Sequence, residues 1–201
     1  MRKTASFRAV SLLFCAAGPL ALVLEPLPAA ETPSAARVRL ETTVGVIEFE
    51  LDLARAPATS ANFLRYIEAR KYDSGAFHRT VTPGNQPMNS VKIEVVQGGP
   101  RGQDFPPIAL ERTSKTGILH KDGVVSMARA GADTATADFF ICIGDQPELD
   151  FGGKRNPDGQ GFAAFGRVTA GMDVVRKIQR SAADGQKLTP PIAIMRARRL
   201  P

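Results

Sequence analysis

The chain has 201 residues, 43% of them hydrophobic and 23% charged, which is ordinary for one globular domain with a substantial core. Its formal net charge is +6, and removing residues 1–30 takes away three cations and one anion and leaves +4. This mild basicity comes without a basic stretch interleaved with aromatic residues, so the composition does not indicate nucleic-acid binding.

The first 36 residues have the layout of a secretory signal peptide followed by a linker. Three basic residues precede an apolar run, Val10–Leu24, which small residues follow. A Gly-Pro pair interrupts this run, which is too short for a good membrane span. Cleavage after Ala36 fits the small-x-small rule best, and cleavage after Ala30 is the other candidate. We therefore predict a secreted or periplasmic protein, or a membrane-tethered one if the signal stays uncleaved.

The cysteines do not indicate a disulfide. Cys15 lies in the signal segment, and Cys142 stands alone in the apolar run Phe139–Ile143. A lone thiol cannot form an internal disulfide, so the mature domain must be stable without one. We expect Cys142 to pack in the interior, because it has no adjacent basic partner to activate it as a nucleophile.

The predicted elements begin with two segments of alternating polarity, Val38–Thr42 and Val46–Asp52, joined by a turn at Val44-Gly45. In the second segment Ile47, Phe49 and Leu51 share one face. Period-two alternation around a glycine turn predicts an antiparallel hairpin.

A helix is predicted from Pro57 onward, with Thr59 or Ser60 as its N-cap. Its core-facing stripe would be formed by Phe63, Tyr66, Ile67 and Arg70. A polar loop over residues 80–94 follows.

Further short strands are predicted at Val91–Val96, Gly123–Ala128, Asp138–Ile143, Phe162–Val168 and Ile192–Ile194, with a second helix over Met172–Gln179. The turn-rich segment 150–161 is predicted to be an ordered loop. Many short strands with two helices predict an all-β fold, namely a closed antiparallel barrel whose ends are capped by two amphipathic α-helices.

Six short motifs occur in a fixed order along this domain. They are Ala56-Pro57 through Phe63, Phe77-His78-Arg79, Gln97-Gly98-Gly99, Ser126–Gly131, Phe139–Cys142 and Phe165–Val168. Together they supply a cation, an amide, tight turns and an aromatic wall, which suit a cleft that holds a peptide and polarises one amide bond. In this order the motifs resemble the cyclophilin family of peptidyl-prolyl cis–trans isomerases. The resemblance covers residues 37–201 and implies an eight-stranded barrel there.

The resemblance implies a catalytic role for two residues. Arg79 ends the triplet that carries the family's catalytic arginine, and Gln97 matches the glutamine that orients it. The alternative for Arg79 is a structural arginine paired with an acid. The alternative for Gln97 is a turn residue before a glycine pair. The resemblance also implies a peptide-binding groove formed by Phe77, Val95, Ala128, Arg129, Ala130, Asp138, Phe140, Glu148, Leu149 and Phe162. Phe139 should point into the core, because adjacent strand residues face opposite sides.

Several groove positions depart from the family pattern. Val95 and its neighbour Glu94 replace a Phe-Met pair, Arg129 an asparagine, Asp138 a glutamine, Phe162 a histidine, and Glu148 the tryptophan that contacts cyclosporin. These changes keep the catalytic cation, and they predict altered specificity and reduced activity.

The predicted partners are proline-containing segments of client proteins, with no cofactor, no metal, no nucleic acid and a monomeric state. His78 and His120 lack metal-ligand spacing, and a cation loop over Asp145, Glu148 and Asp150 lacks regular oxygen-ligand spacing. The alternative to an enzyme that assists the folding of exported proteins is a non-catalytic proline-peptide-binding barrel. In that hypothesis Glu94, Asp138 and Glu148 would make the groove suit basic peptides.

Overall fold

The computed structural model describes residues 34–102 and 104–201, so the predicted signal sequence up to residue 33 lies outside the described residues. The strands are β1 (Ala35–Thr42), β2 (Gly45–Asp52), β3 (Ala76–Val81), β4 (Val95–Gly99), β5 (Val124–Met127), β6 (Phe139–Cys142), β7 (Ala163–Ala170), β8 (Ala183–Asp184) and β9 (Lys187–Arg199). The helices are α1 (Pro57–Glu68), α2 (Thr113–Thr116) and α3 (Met172–Gln179). Within these described ranges, none of the helices has the length and apolar character needed to cross a bilayer.

Eight of the strands close into a barrel in the order β1-β2-β7-β5-β6-β4-β3-β9. Antiparallel pairing of β1 with β9, from Val38 opposite Arg199 onward, completes the ring. The two-residue strand β8 pairs with β9 beside it. The predicted closed eight-stranded antiparallel barrel is thus confirmed, and closure leaves the main strands without open edges.

Aromatic side chains fill the barrel interior. Phe63 of α1 packs edge-on against Phe139 of β6, with ring centroids 5.5 Å apart, and Phe139 packs edge-on against Phe77 of β3 at 5.6 Å. Phe139 therefore points inward as expected. Phe77 is also fully buried in this core, so its predicted place in the peptide groove is wrong.

Helix α1 begins at Pro57 as predicted, but its N-cap lies about one turn before the predicted Thr59 or Ser60. Ala56 is the N-cap, and Thr59 and Ser60 are buried inside the first turn. The carboxylate of Glu111 accepts hydrogen bonds from the backbone N–H groups of Ala58, at 3.1 Å, and Thr59, at 2.8 Å. A distant anion thus satisfies the free N–H groups that a local cap would otherwise bind.

The core faces of α1 and α3 agree with the predicted periodicity except at one residue. Val175 and Ile178 of α3 are fully buried. Arg70 lies beyond the end of α1 with a φ of 57°, so it does not continue the apolar stripe. The single-turn helix α2 was not predicted, because four residues give no measurable periodicity.

Strand β4 starts at Val95, later than the predicted Val91. The side-chain amide of the buried Gln86 donates to the carbonyls of Thr82, at 2.9 Å, and Ile93, at 2.7 Å. These bonds tie Ile93 to the preceding loop rather than to a strand ladder. The segment 82–94 is therefore an ordered loop anchored by its own side chains.

Candidate active site

A cleft of about 460 Å³ lies on the outer face of β3, β4 and β6, a volume typical of ligand sites. Of the residues that the sequence predicted, it is lined by Arg79, Val95, Gln97, Ala128, Arg129, Ala130, Asp138, Phe140, Leu149 and Phe162. Ile93, Thr134, Thr136, Arg155 and Asn156 complete the lining. The structure thus gathers most of the predicted groove, while Phe77 and Glu148 lie elsewhere.

A bulge in β3 directs Arg79 into the cleft. Phe77 pairs with Gly98 and Arg79 pairs with Gln97, so two steps along β3 match one step along β4. Without the extra residue, Phe77 and Arg79 would share a face, because strand side chains alternate. The bulge reverses the alternation, as bulges beside functional sites often do. Phe77 consequently enters the core and Arg79 faces outward.

Two glutamines hold the Arg79 guanidinium from opposite sides. Its Nη1 donates to Gln97 Oε1 at 3.0 Å. Its Nε and Nη2 donate to Gln186 Oε1 at 2.9 and 2.6 Å. The predicted contact with Gln97 is present, whereas Gln186 was not foreseen, since it lies 107 residues away without a recognisable motif.

Each glutamine is oriented by a fixed acceptor on its far side. Gln97 Nε2 donates to Asp138 Oδ2 at 3.2 Å, and Gln186 Nε2 donates to the Asn85 carbonyl at 3.1 Å. A carboxylate or a carbonyl can only accept, so each amide must present its oxygen to Arg79. Asp138, in the place of a family glutamine, therefore sets the orientation of Gln97.

Neutral oxygens, not carboxylates, surround the Arg79 charge. Among residues 34–102 and 104–201, no ion pair within 4.0 Å involves Arg79. Burial lowers the pKa of the guanidinium from its ordinary value, and an arginine still remains protonated at neutral pH. The full cationic charge is therefore available to a bound molecule.

An apolar pocket adjoins this cation. Phe140 and Phe162 meet edge to face, with ring centroids 5.3 Å apart, and Leu149 and Val95 belong to the same small cluster. Cys142 lies buried behind them, as expected, and burial raises the pKa of its thiol well above the ordinary value. The pocket matches a small apolar ring, and its thiol is unreactive at neutral pH.

A buried polar network supports the pocket from behind. The His120 ring stacks on Phe140 at 5.9 Å, with its Nδ1 2.7 Å from Asp150 Oδ1 and its Nε2 2.9 Å from Ser126 Oγ. This is the order of an acid–histidine–serine triad. Ser126 is fully buried and cannot meet a substrate. The network therefore holds Phe140 in place, which the sequence spacing had not indicated.

Two of the three acids that motivated a basic-peptide groove lie outside the cleft. Glu148 accepts a bond from the Lys154 backbone N–H at 2.8 Å, which turns its carboxylate toward the following loop. Glu94 accepts from the Gln179 side chain, also at 2.8 Å. Glu148 therefore does not line the cleft where the sequence had placed it, and Asp138 alone of the three does.

Arg129 forms part of the cleft wall, and its charge is neutralised. Its guanidinium donates to both oxygens of Asp158, at 2.7 and 2.9 Å, while its Nε donates to the Gly161 carbonyl. Its side chain is 1% exposed and lies 5.2 Å from the centre of the Phe162 ring. Arg129 therefore fixes the loop beside the pocket.

The described residues contain no cluster of three His, Cys, Asp or Glu side chains arranged to hold a metal ion. His78 Nε2 lies 3.5 Å from an Asp138 oxygen at the edge of the cleft. The chemistry available to the site consists of hydrogen bonding and charge from fixed side chains.

Residues 37–199 match the family model for cyclophilin type peptidyl-prolyl cis-trans isomerases. A Streptomyces antibioticus protein, peptidyl-prolyl cis-trans isomerase cyp18, is 37% identical over 147 residues, or 71% of this chain and 82% of the relative. Peptidyl-prolyl cis-trans isomerase A of Dickeya dadantii is 34% identical over 160 residues, or 76% of each chain. The chain therefore belongs to the cyclophilin-type peptidyl-prolyl cis–trans isomerase family.

Solved structures agree on the fold. A Cryptosporidium parvum cyclophilin type peptidyl-prolyl cis-trans isomerase superposes with a TM-score of 0.67 at 21% identity, covering 83% of this chain and 98% of the other. A second structure of that protein, in the presence of the dipeptide Ala-Pro, superposes equally well. At this identity the likeness supports the barrel architecture.

The Arg129–Asp158 pair makes stability depend on acid pH. Hydrogen bonds from Arg129 hold the pKa of Asp158 at about 2, below its ordinary 3.8. As the pH falls from about 4 to 2, the unfolded chain takes up a proton at this carboxylate that the folded chain does not, so stability is lost in that interval. We expect wild type to exceed Asp158→Asn in melting temperature at pH 5, with the gap closing toward pH 2. A gap that stays constant over this range would contradict the assignment.

Proposed function

We propose that Arg79 catalyses the cis–trans isomerisation of X-Pro bonds and that the protein assists the folding of exported proteins. The observation that carries the catalytic part is a guanidinium held between two glutamine oxygens beside an apolar pocket. Membership of the family and the isomerase names of the relatives support the same reaction.

The reaction requires rotation about a bond rather than cleavage. Resonance in the amide sets a barrier of roughly 18–20 kcal/mol, and uncatalysed X-Pro bonds isomerise in roughly tens to hundreds of seconds. In the twisted state the prolyl nitrogen becomes pyramidal and its lone pair becomes basic. A donor aimed at that lone pair binds the twisted state more strongly than the planar one, and this difference accelerates the rotation.

The hydrogen bonds of Arg79 leave donors for this purpose. A guanidinium has five N–H groups, and three of them bind the two glutamines. Nη1 and Nη2 each retain one N–H. Because both glutamine amides are fixed, the plane of the guanidinium is fixed as well, and it need not reorganise as the amide twists.

The apolar pocket holds the ring of the proline while the bond turns. Phe140, Phe162 and Leu149 offer a surface without hydrogen-bonding demands, next to the cationic edge of the cleft. Fixing the ring and binding the nitrogen on one side leaves the preceding carbonyl free to rotate. The pocket thereby supplies the positional part of catalysis.

Replacing Arg79 with alanine should lower kcat/KM ten- to a hundredfold. A charge-assisted hydrogen bond is worth roughly 1.5–3 kcal/mol, and each ~1.4 kcal/mol is tenfold in rate. A protease-coupled assay on an Ala-X-Pro-Phe peptide measures the change. The kcat/KM of Arg79→Lys should lie between those of wild type and Arg79→Ala, because lysine keeps the charge but lacks the planar guanidinium. The exposed Arg196→Ala serves as the control, and equal rates for Arg79→Ala and wild type would refute the role.

Replacing Gln186 with alanine should lower kcat about two- to tenfold with little change in KM. The variant removes two of the three bonds that fix Arg79 and leaves the proline pocket intact. Gln179→Ala is the matched control, since the side-chain amide of Gln179 binds Glu94 away from the cleft. Wild-type kcat in Gln186→Ala would show that Gln97 alone positions the guanidinium.

Export is supported by the layout of the first residues, and the contacts of β1 support one of the two candidate cleavage sites. The Ser34 carbonyl accepts bonds from the Leu53 and Ala54 N–H groups, and the buried Ala36 pairs with Leu51. Cleavage after Ala36 would remove these contacts, so cleavage after Ala30 is favoured. The product is proposed to act as a monomer on proline-containing segments of exported clients.

The exported product should begin at Glu31. N-terminal sequencing of the protein from the periplasm or the medium measures this directly. A start at Arg37 would contradict the cleavage assignment, and an intact N-terminus in the membrane fraction would favour the tethered alternative.

A further inference from the structure

A second cation, Arg155, lines the cleft and has no part in the isomerisation chemistry described above. Its Nη1 donates to Gln86 Oε1 and to the Val91 carbonyl, both at 2.8 Å. Both acceptors are neutral, so they hold the side chain without cancelling its charge. Two N–H groups on Nη2 and one on Nε remain for a bound molecule.

No carboxylate of the described residues is paired with Arg155. Within residues 34–102 and 104–201, no carboxylate oxygen lies within 4.0 Å of an Arg155 nitrogen. Burial and then the charge of Arg79 lower the pKa of Arg155. Two partly buried cations therefore line one cleft and repel each other, and an anion placed beside Arg155 would reduce that repulsion.

The cleft has a positive end and a negative end along β4. Arg155 binds Gln86, which in turn binds the carbonyl of Ile93 just before the strand. Asp138 packs against Gly99 at the other end of the strand, and Gln97 with Arg79 lies between them. An acidic group on the substrate would be repelled at the Asp138 end and attracted at the Arg155 end.

The apolar pocket lies toward the positive end. Ile93, just before β4, and Val95, at its start, share one cluster with Phe140 and Leu149. A proline ring seated there would place a flanking residue beside Arg155. The planar fork of an arginine matches a carboxylate in geometry as well as in charge.

We propose that Arg155 determines substrate specificity by binding the carboxylate of a glutamate or aspartate adjacent to the proline. The preferred substrates are then X-Pro segments with an acidic neighbour. This inference rests on the proposed isomerase function, and it contrasts with the basic peptides that Glu94 and Glu148 had suggested.

Two peptide pairs test the proposal, one with Glu or Gln immediately before the proline and one with Glu or Gln immediately after it. Two-dimensional exchange NMR measures kcat/KM without a coupling protease. In at least one pair, the kcat/KM of the Glu peptide should exceed that of the Gln peptide by about three- to tenfold at low salt. Because the preference is electrostatic, it should shrink in 0.5 M NaCl, where the Debye length falls to a few ångströms.

Arg155→Gln should abolish the preference, so that the Glu and Gln peptides of each pair react at equal rates, whereas Arg155→Lys should retain part of the preference. Lys154→Gln removes the same charge from the neighbouring exposed side chain and should keep the preference intact. Three outcomes would each overturn the proposal: equal rates within both pairs, a preference that salt does not weaken, and a preference that survives Arg155→Gln.

If no peptide is isomerised, the proposed function fails. Titrations of the same peptides would then decide whether Arg155 selects acidic ligands, and equal affinities would refute it.

Discussion

The site depends on keeping the Arg79 guanidinium fully charged and fixed in orientation at the surface of the barrel. A carboxylate partner would hold Arg79 as firmly, but it would also neutralise the charge that the proposed catalysis requires. Two amide oxygens avoid this conflict, since they accept hydrogen bonds and carry no net charge. Amides can flip, however, so each glutamine needs a second partner that permits one orientation. Asp138 and the Asn85 carbonyl meet that need.

The placement of the cation follows from the strand geometry. A regular β3 would send Phe77 and Arg79 to the same face, and either the core would lose an aromatic ring or the cleft would lose its charge. One extra residue in β3 resolves the conflict, and it is seen in the register of β3 against β4, where Phe77 pairs with Gly98 and Arg79 with Gln97. The closed barrel tolerates this bulge, because the neighbouring strands fix the positions of the residues on either side of it.

Local patterns in the sequence predicted the barrel, the hairpin and both longer helices, whereas the family resemblance supplied the predicted cleft residues. Alternation and helical periodicity depend on neighbours in the chain, and the motif resemblance supplied Arg79, Gln97 and Phe140. Contacts between distant segments were missed, namely Gln186 on Arg79, Glu111 on α1 and Arg155 on Gln86. The error at Phe77 has the same origin, since a bulge is defined by the partner strand and leaves no mark in a single sequence.

The loop 82–94 connects the two functions of the cleft. Its Asn85 carbonyl orients Gln186 and thereby Arg79, while Gln86 and the Val91 carbonyl hold Arg155. The proposed catalytic cation and the proposed specificity cation are therefore both supported by this loop, in which Gln86 is buried. An anion bound at Arg155 would lie beside this loop and would reduce the repulsion between the two cations. The positioning of Arg79 and the proposed recognition of an acidic substrate therefore both depend on contacts made by this loop.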